Sequence, residues 1–157
     1  MTLAFRTEIE GKPTYFPDKI IECLQIPNSR LLRDLYIRFP NYELYKGIDL
    51  KPKLHTIRED KSDRWKAGNN IHFVINNRTP KRFQFAPIVK CVSIQKIEIY
   101  YPALARFPVV LIDCKKLTTD KCVLLANNDG FDSLYQFFDW FNKDFTGKII
   151  HWTNLKY

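Results

Sequence analysis

The sequence predicts an α+β fold in a single domain, residues 1–157. Three observations carry that prediction. Apolar side chains recur at helical spacing between residues 14 and 39. From residue 71 to residue 113 the pattern becomes extended, in short apolar runs parted by turn residues. From residue 117 the helical period returns, before a last extended run, KIIHW (148–152). With 157 residues, 15% of them aromatic, the chain is long enough to bury a well-packed core.

Each element follows from local signals. LAFR (3–6) is a short strand, and Gly11 turns the chain. PTYFPDKIIECL (13–24) is a helix with Thr14 as its cap. Pro17 lies early enough to remove no ladder bond, and Phe16, Ile20, Ile21 and Leu24 share a face. SRLLRDLYIRF (29–39) is a second helix, capped by Ser29, striped by Leu31, Leu32, Leu35, Tyr36 and Phe39, and ended by Pro40. IHFVI (71–75) is a strand, NNRTPKR (76–82) a turn, and PVVLID (108–113) a further strand. Between them FQFAPIVKCVSIQKIEIYY (83–101) alternates, with a phase shift near Gln95 that predicts a bulge or bend. Strands this closely linked predict a small barrel or a strongly curved sheet. LTTDKCVLLANNDGF holds a helix ending near Asn127 and Asn128. FDSLYQFFDWFNKDF holds another, started by Asp132 or Ser133, lined by Leu134, Phe137, Phe138, Phe141 and Phe145, and stopped by Gly147. Trp140 and Trp152 fall in core-like patterns.

Composition excludes several function classes. The opening residues lack the apolar core of a signal peptide, and the apolar runs are too short to span a bilayer. A cytoplasmic protein without a membrane partner is the expectation. The cysteines at 23, 91, 114 and 122 form no C-x-x-C pair and are expected as buried free thiols; His55, His72 and His151 are scattered. No metal and no cofactor are expected. The net charge of +8 is uneven: residues 30–106 carry sixteen basic and seven acidic side chains, whereas residues 107–157 carry six of each. A localised cationic field favours partners that bear phosphate.

The centre of that field is KPKLHTIRED (51–60), followed by RWKAGNNIHF (64–73). In KLHTIRED, a lysine stands three positions before a threonine and an arginine follows two further on: Lys53, Thr56 and Arg58. These blocks resemble the ASCH family of the PUA-like superfamily. PTYFPDKIIECL resembles the helix before that family's motif, and LLANNDGFDSLYQFF its late acidic loop and following helix. Residues 25–50 are an apparent insertion between the first helix and the motif. The resemblance implies a small PUA-like β-barrel of about five to six strands with flanking helices, and RNA or a nucleotide-like molecule bound in a basic cleft beside the K-x-x-T-x-R motif. Some members deacetylate a cytidine acylated on its exocyclic amine, without a metal, using a lysine, a threonine and a late glutamate. Lys53 and Thr56 match the first two. Asp129 falls near the third and is one methylene shorter.

Residue chemistry defines the roles to test. Lys53 is a reactive amine or a cation for phosphate. In an extended segment it would face away from Thr56, because their separation is odd, so the site demands a turn or bulge within LHT. Thr56 can exchange a hydrogen bond with a ligand carbonyl or simply suit a strand. Arg58 offers a planar fork for phosphate, or an ion pair with Glu59, Asp60, Asp63 or Asp129. Asp129 is an acid–base group or a turn residue of NNDG. His55, one step from Thr56, is assigned to surface or barrel wall. Trp65, between Arg64 and Lys66, can stack on a base or plug the core. Arg78, Lys81 and Arg82 extend the cationic rim.

Overall fold

The computed structural model describes residues 1–26, 30–42, 45, 49–104 and 107–157, apart from the side chain of Leu32. Its elements in chain order are β1 (Thr2–Ala4), β2 (Glu8–Ile9), β3 (Lys12–Pro13), α1 (Phe16–Cys23), α2 (Arg30–Arg38), β4 (His55–Arg58), β5 (Asn70–Ile75), β6 (Phe83–Gln84), β7 (Val89–Lys90), β8 (Ser93–Tyr100), β9 (Val109–Ile112), β10 (Lys115–Lys116), α3 (Thr119–Asn128), α4 (Leu134–Trp140) and β11 (Phe145–His151). The fold is α+β, and the pairings among the described residues leave every sheet open. The chain forms two compact units. One comprises Met1–Lys53 and Asn70–Lys90, the other Leu54–Asn69 and Cys91–Tyr157.

In the first unit β5 is the organising strand. It pairs in parallel with β1 and antiparallel with β6 and β7. Its residues Ile71, Phe73, Val74 and Ile75 are all buried, the pattern of a strand covered on both faces. The rings of Phe5, Phe73 and Phe85 meet with centroids 5.9–6.1 Å apart. Thr14 does not cap α1 as expected. Tyr15 occupies the cap position in the left-handed region, at φ 52°, while the Thr14 hydroxyl accepts from the Phe16 amide and donates to the Arg6 carbonyl. Buried Asp18 in the first turn of α1 accepts hydrogen bonds from the hydroxyls of Tyr36 in α2 and of Tyr42. Burial, then Asp18 itself, pushes both phenols well above their ordinary range, so both remain donors. The expected Ser29 cap lies outside the described residues.

The second unit is a five-stranded antiparallel sheet, in the order β10-β9-β8-β11-β4, with α3 and α4 on its core. Ile57, Ile97, Ile99, Val110, Ile112 and Ile149 of the sheet pack with Leu125, Ala126 and Phe137 of the two helices. Ser133 caps α4 by accepting from the Gln136 amide. Cys91 and Cys122 are buried, as the sequence predicts, but Cys114 is exposed and Cys23 only half-buried.

Three local expectations are corrected. No bulge interrupts β8, whose register with β11 runs unbroken from Phe145↔Ile99 to His151↔Ser93. Gln95 belongs to the inward set with Ile97 and Ile99. Its amide nitrogen donates to Asp113 at 2.9 Å and to the Tyr157 carbonyl at 3.2 Å, so a polar side chain occupies an interior position fully bonded. Helix α4 ends at Trp140, which is partly exposed, and Gly147 lies inside β11 rather than stopping a helix.

Gly147 has a specific packing reason. A Cβ there would sit 2.5 Å from the Arg58 carbonyl oxygen and 2.6 Å from the Phe145 ring. Only a bare Cα lets β4 approach β11 at this point. Gly147→Ala is therefore expected to cost about 1–3 kcal/mol by overpacking. The change is read as a lowered urea midpoint with an unchanged m-value.

Candidate functional site

Two residues of the K-x-x-T-x-R motif fall in the second unit and one in the first. Lys53 closes the opening segment of the first unit. It is 2% exposed. Its backbone amide donates to the Lys19 carbonyl at 3.0 Å. Its ammonium stands over the Phe16 ring, 4.7 Å from the centroid, and 5.9 Å from that of Phe5. Such faces attract a cation and offset part of the cost of burying it. Strand β4 begins at His55, and His55 and Thr56 pair in unbroken register with His151 and Ile150, so the turn or bulge that the site demanded does not lie between them.

In the second unit Thr56 and Arg58 share one face of β4, while His55 and Ile57 share the other. Pairing with β11 puts Ile150 opposite Thr56 and Lys148 opposite Arg58. Thr56 is 3% exposed. Burial lowers the Arg58 guanidinium below its ordinary value, and the Asp129 carboxylate opposes that shift. Arg58 is half-buried, and a guanidinium that has lost part of its water binds an anion more strongly than a fully solvated one.

Asp129 is 3% exposed and caps the C-terminus of α3. Gly130 follows at φ 88°, and its amide bonds the Asn127 carbonyl while the Phe131 amide bonds that of Ala126. This closing motif needs a left-handed residue, which glycine supplies. NNDG is thus turn chemistry in its backbone, and at the same time it carries the Asp129 carboxylate inward. One carboxylate oxygen lies 3.7 Å from Nδ1 of His55.

The sequence assigned His55 to surface or barrel wall, and its burial removes the surface alternative. His55 is fully buried, as is His151, its cross-strand partner. Their rings pack edge to face with centroids 5.3 Å apart. Nε2 of His55 lies 2.7 Å from the Tyr157 hydroxyl, which also accepts from the Asn128 side-chain amide at 2.9 Å. Gln95 grips the Tyr157 backbone on both sides, accepting from its amide at 3.0 Å and donating to its carbonyl. Neither ring nitrogen of His151 has a hydrogen-bond partner among the described residues, and the Ser93 hydroxyl opposite it has none either. This polar cluster of His55, His151, Asn128, Asp129, Gln95 and Tyr157 escaped the sequence reading. The signal that was there is the even spacing of Ser93, Gln95 and Ile97, which puts two polar residues on a core-facing set.

The remaining candidates are dispersed. Asp60 accepts from the amides of Arg64 and Trp65, which turns the chain, and the Trp65 ring is buried. Arg64 and Lys66 are exposed, and Lys66 pairs with Asp63. Lys148 joins Asp60 at 3.0 Å and also Asp63, whose carboxyl is held down at about 2 by Lys148 and Lys66. In the first unit Arg78, Lys81 and Arg82 are all exposed around the turn after β5. Among the described residues no group of three His, Cys, Asp or Glu side chains is arranged to hold a metal ion, and no helix is long and apolar enough to cross a membrane. Comparison with protein-family models, with curated proteins and with solved structures gives no match.

Burial of His151 sets a pH dependence. Desolvation first, and Lys156 second, lower its pKa from 6.5 to about 4, with Asp113 opposing. Between those values the unfolded chain binds the proton and the folded chain does not, so stability rises with pH across the window. Stability is expected to be full above about pH 6.5 and to fall as the pH drops toward 4, as followed by urea unfolding. His151→Leu is expected to flatten that slope.

Proposed function

We propose that this chain is an ASCH-type domain with a PUA-like barrel, and that it binds a nucleotide-like ligand or RNA through the K-x-x-T-x-R residues Lys53, Thr56 and Arg58. The observation that carries the reading is the shared face of Thr56 and Arg58, with a desolvated guanidinium under the influence of Asp129. A fork-shaped, half-buried cation on the same strand face as a hydroxyl suits a phosphate or a base edge. The enclosure of Thr56 favours a small nucleotide over a long strand. The exposed cations Arg64, Arg78, Lys81 and Arg82 remain available to backbone phosphates if the ligand is RNA. Binding of cytidine monophosphate and of a short oligoribonucleotide, followed by fluorescence competition, tests the reading. Affinity is expected to fall as salt rises. Arg58→Ala is expected to weaken it about tenfold or more, the scale of a charge-assisted hydrogen bond. Binding indifferent to both salt and Arg58 would contradict the proposal.

A second reading is favoured by the low exposure of Thr56 and Asp129 within the second unit, 3% each, which suits a small substrate. In that reading the chain is a metal-independent amidohydrolase acting on an acetylated cytidine-type nucleoside. Lys53 and Thr56 assist attack on the amide carbonyl, and Asp129 serves as the acid–base group. Pure protein is expected to release acetate from N4-acetylcytidine, and Lys53→Ala to abolish turnover while thermal unfolding stays cooperative. No turnover at high protein concentration removes this reading.

A further inference from the structure

The polar cluster behind β4 has a direction. The Asn128 side-chain amide can only donate to the Tyr157 oxygen. The Tyr157 hydroxyl must then place its own hydrogen, and Nε2 of His55 lies 2.7 Å away. Burial, the largest influence, keeps that phenol protonated, so it is a donor at every ordinary pH. An Nε2 that accepts a hydrogen bond cannot carry a proton in a neutral ring. The proton therefore sits on Nδ1, and Nδ1 is the atom 3.7 Å from the Asp129 carboxylate. That separation is longer than a hydrogen bond.

We propose that His55 is a positioning residue for Asp129. Asn128 and Tyr157 lock its imidazole in the Nδ1–H tautomer, and this donor aims the carboxylate in a ligand-bound state. The inference rests on the reading of Asp129 as part of the ligand site, but the tautomer itself does not. The donor order Asn128, Tyr157, His55, Asp129 runs one way along the chain. Three of the four members also have independent support: Gln95 fixes the Tyr157 backbone, and the closing turn of α3 fixes Asn128 and Asp129 together. Such outer partners commonly set the orientation of the group they face.

Tyr157→Phe tests the proposal with little risk to folding, because the Gln95 contacts are to the Tyr157 backbone. Nitrogen-15 spectra of the histidine rings at neutral pH are expected to show wild-type His55 protonated on Nδ1. In Tyr157→Phe the signal is expected to shift toward the Nε2–H form. Cytidine monophosphate affinity is expected to drop about three- to tenfold in the same variant, the worth of one hydrogen bond passed through the ring. A wild-type ring protonated on Nε2, or a tautomer unchanged in Tyr157→Phe, overturns the relay. An altered tautomer with unaltered affinity overturns the positioning role. Wild-type protein that binds no nucleotide would instead sink the proposed function, and the spectra would still decide the relay.

Discussion

The close approach of β4 to β11 at Gly147 is the constraint on which the second unit depends. β11 is flanked on both sides, by β8 and by β4, so its register decides which side chains face the helices and which lie on the other face of the sheet. With a period of two, a slip by one residue would exchange the two sets. In the observed register Ile57 and Ile149 enter the core, His55 and His151 extend the same inward row, and Thr56 and Arg58 turn to the opposite face. A side chain at position 147 would hold the strands apart, so a glycine in mid-strand is a geometric requirement of this pairing.

That sheet changes character along its length. Toward β9 and β10 its inner face is aliphatic and aromatic, closed by Leu125 and Phe137. Toward His151 it becomes polar. Burying such groups is costly unless they bond one another, and most of them do. The two ring nitrogens of His151 and the Ser93 hydroxyl are exceptions among the described residues. The energetic consequence is local. An imidazole without a partner tolerates burial only in its neutral form, which links the stability of this sheet to pH at the strand that positions the motif.

Much of the fold was legible because helices and strands announce themselves by period. Strand IHFVI, helix α3, the Ser133 cap and the final strand all carried local signals. The misreadings share a physical cause. Gln95 looked like a break in phase because a buried polar side chain imitates a surface one, and its partners Asp113 and Tyr157 are distant in sequence. Gly147 looked like a helix stop because close strand approach and helix termination both select glycine. His55 was correctly set on the face away from Thr56, but its partners Asp129, His151 and Tyr157 are 74 to 102 residues away, and no local pattern discloses them. Within the motif, the shared face of Thr56 and Arg58 is simple strand alternation. The burial of Lys53 against Phe5 and Phe16 was not legible, since a lysine in a basic run reads as solvated.

The most direct test of this account is the register itself, read from cross-strand backbone proton contacts by NMR. The account predicts contacts that pair His55 with His151, Thr56 with Ile150 and Arg58 with Lys148. Contacts displaced by one residue, or β4 amides that exchange freely while those joining β8 to β11 stay protected, would contradict it.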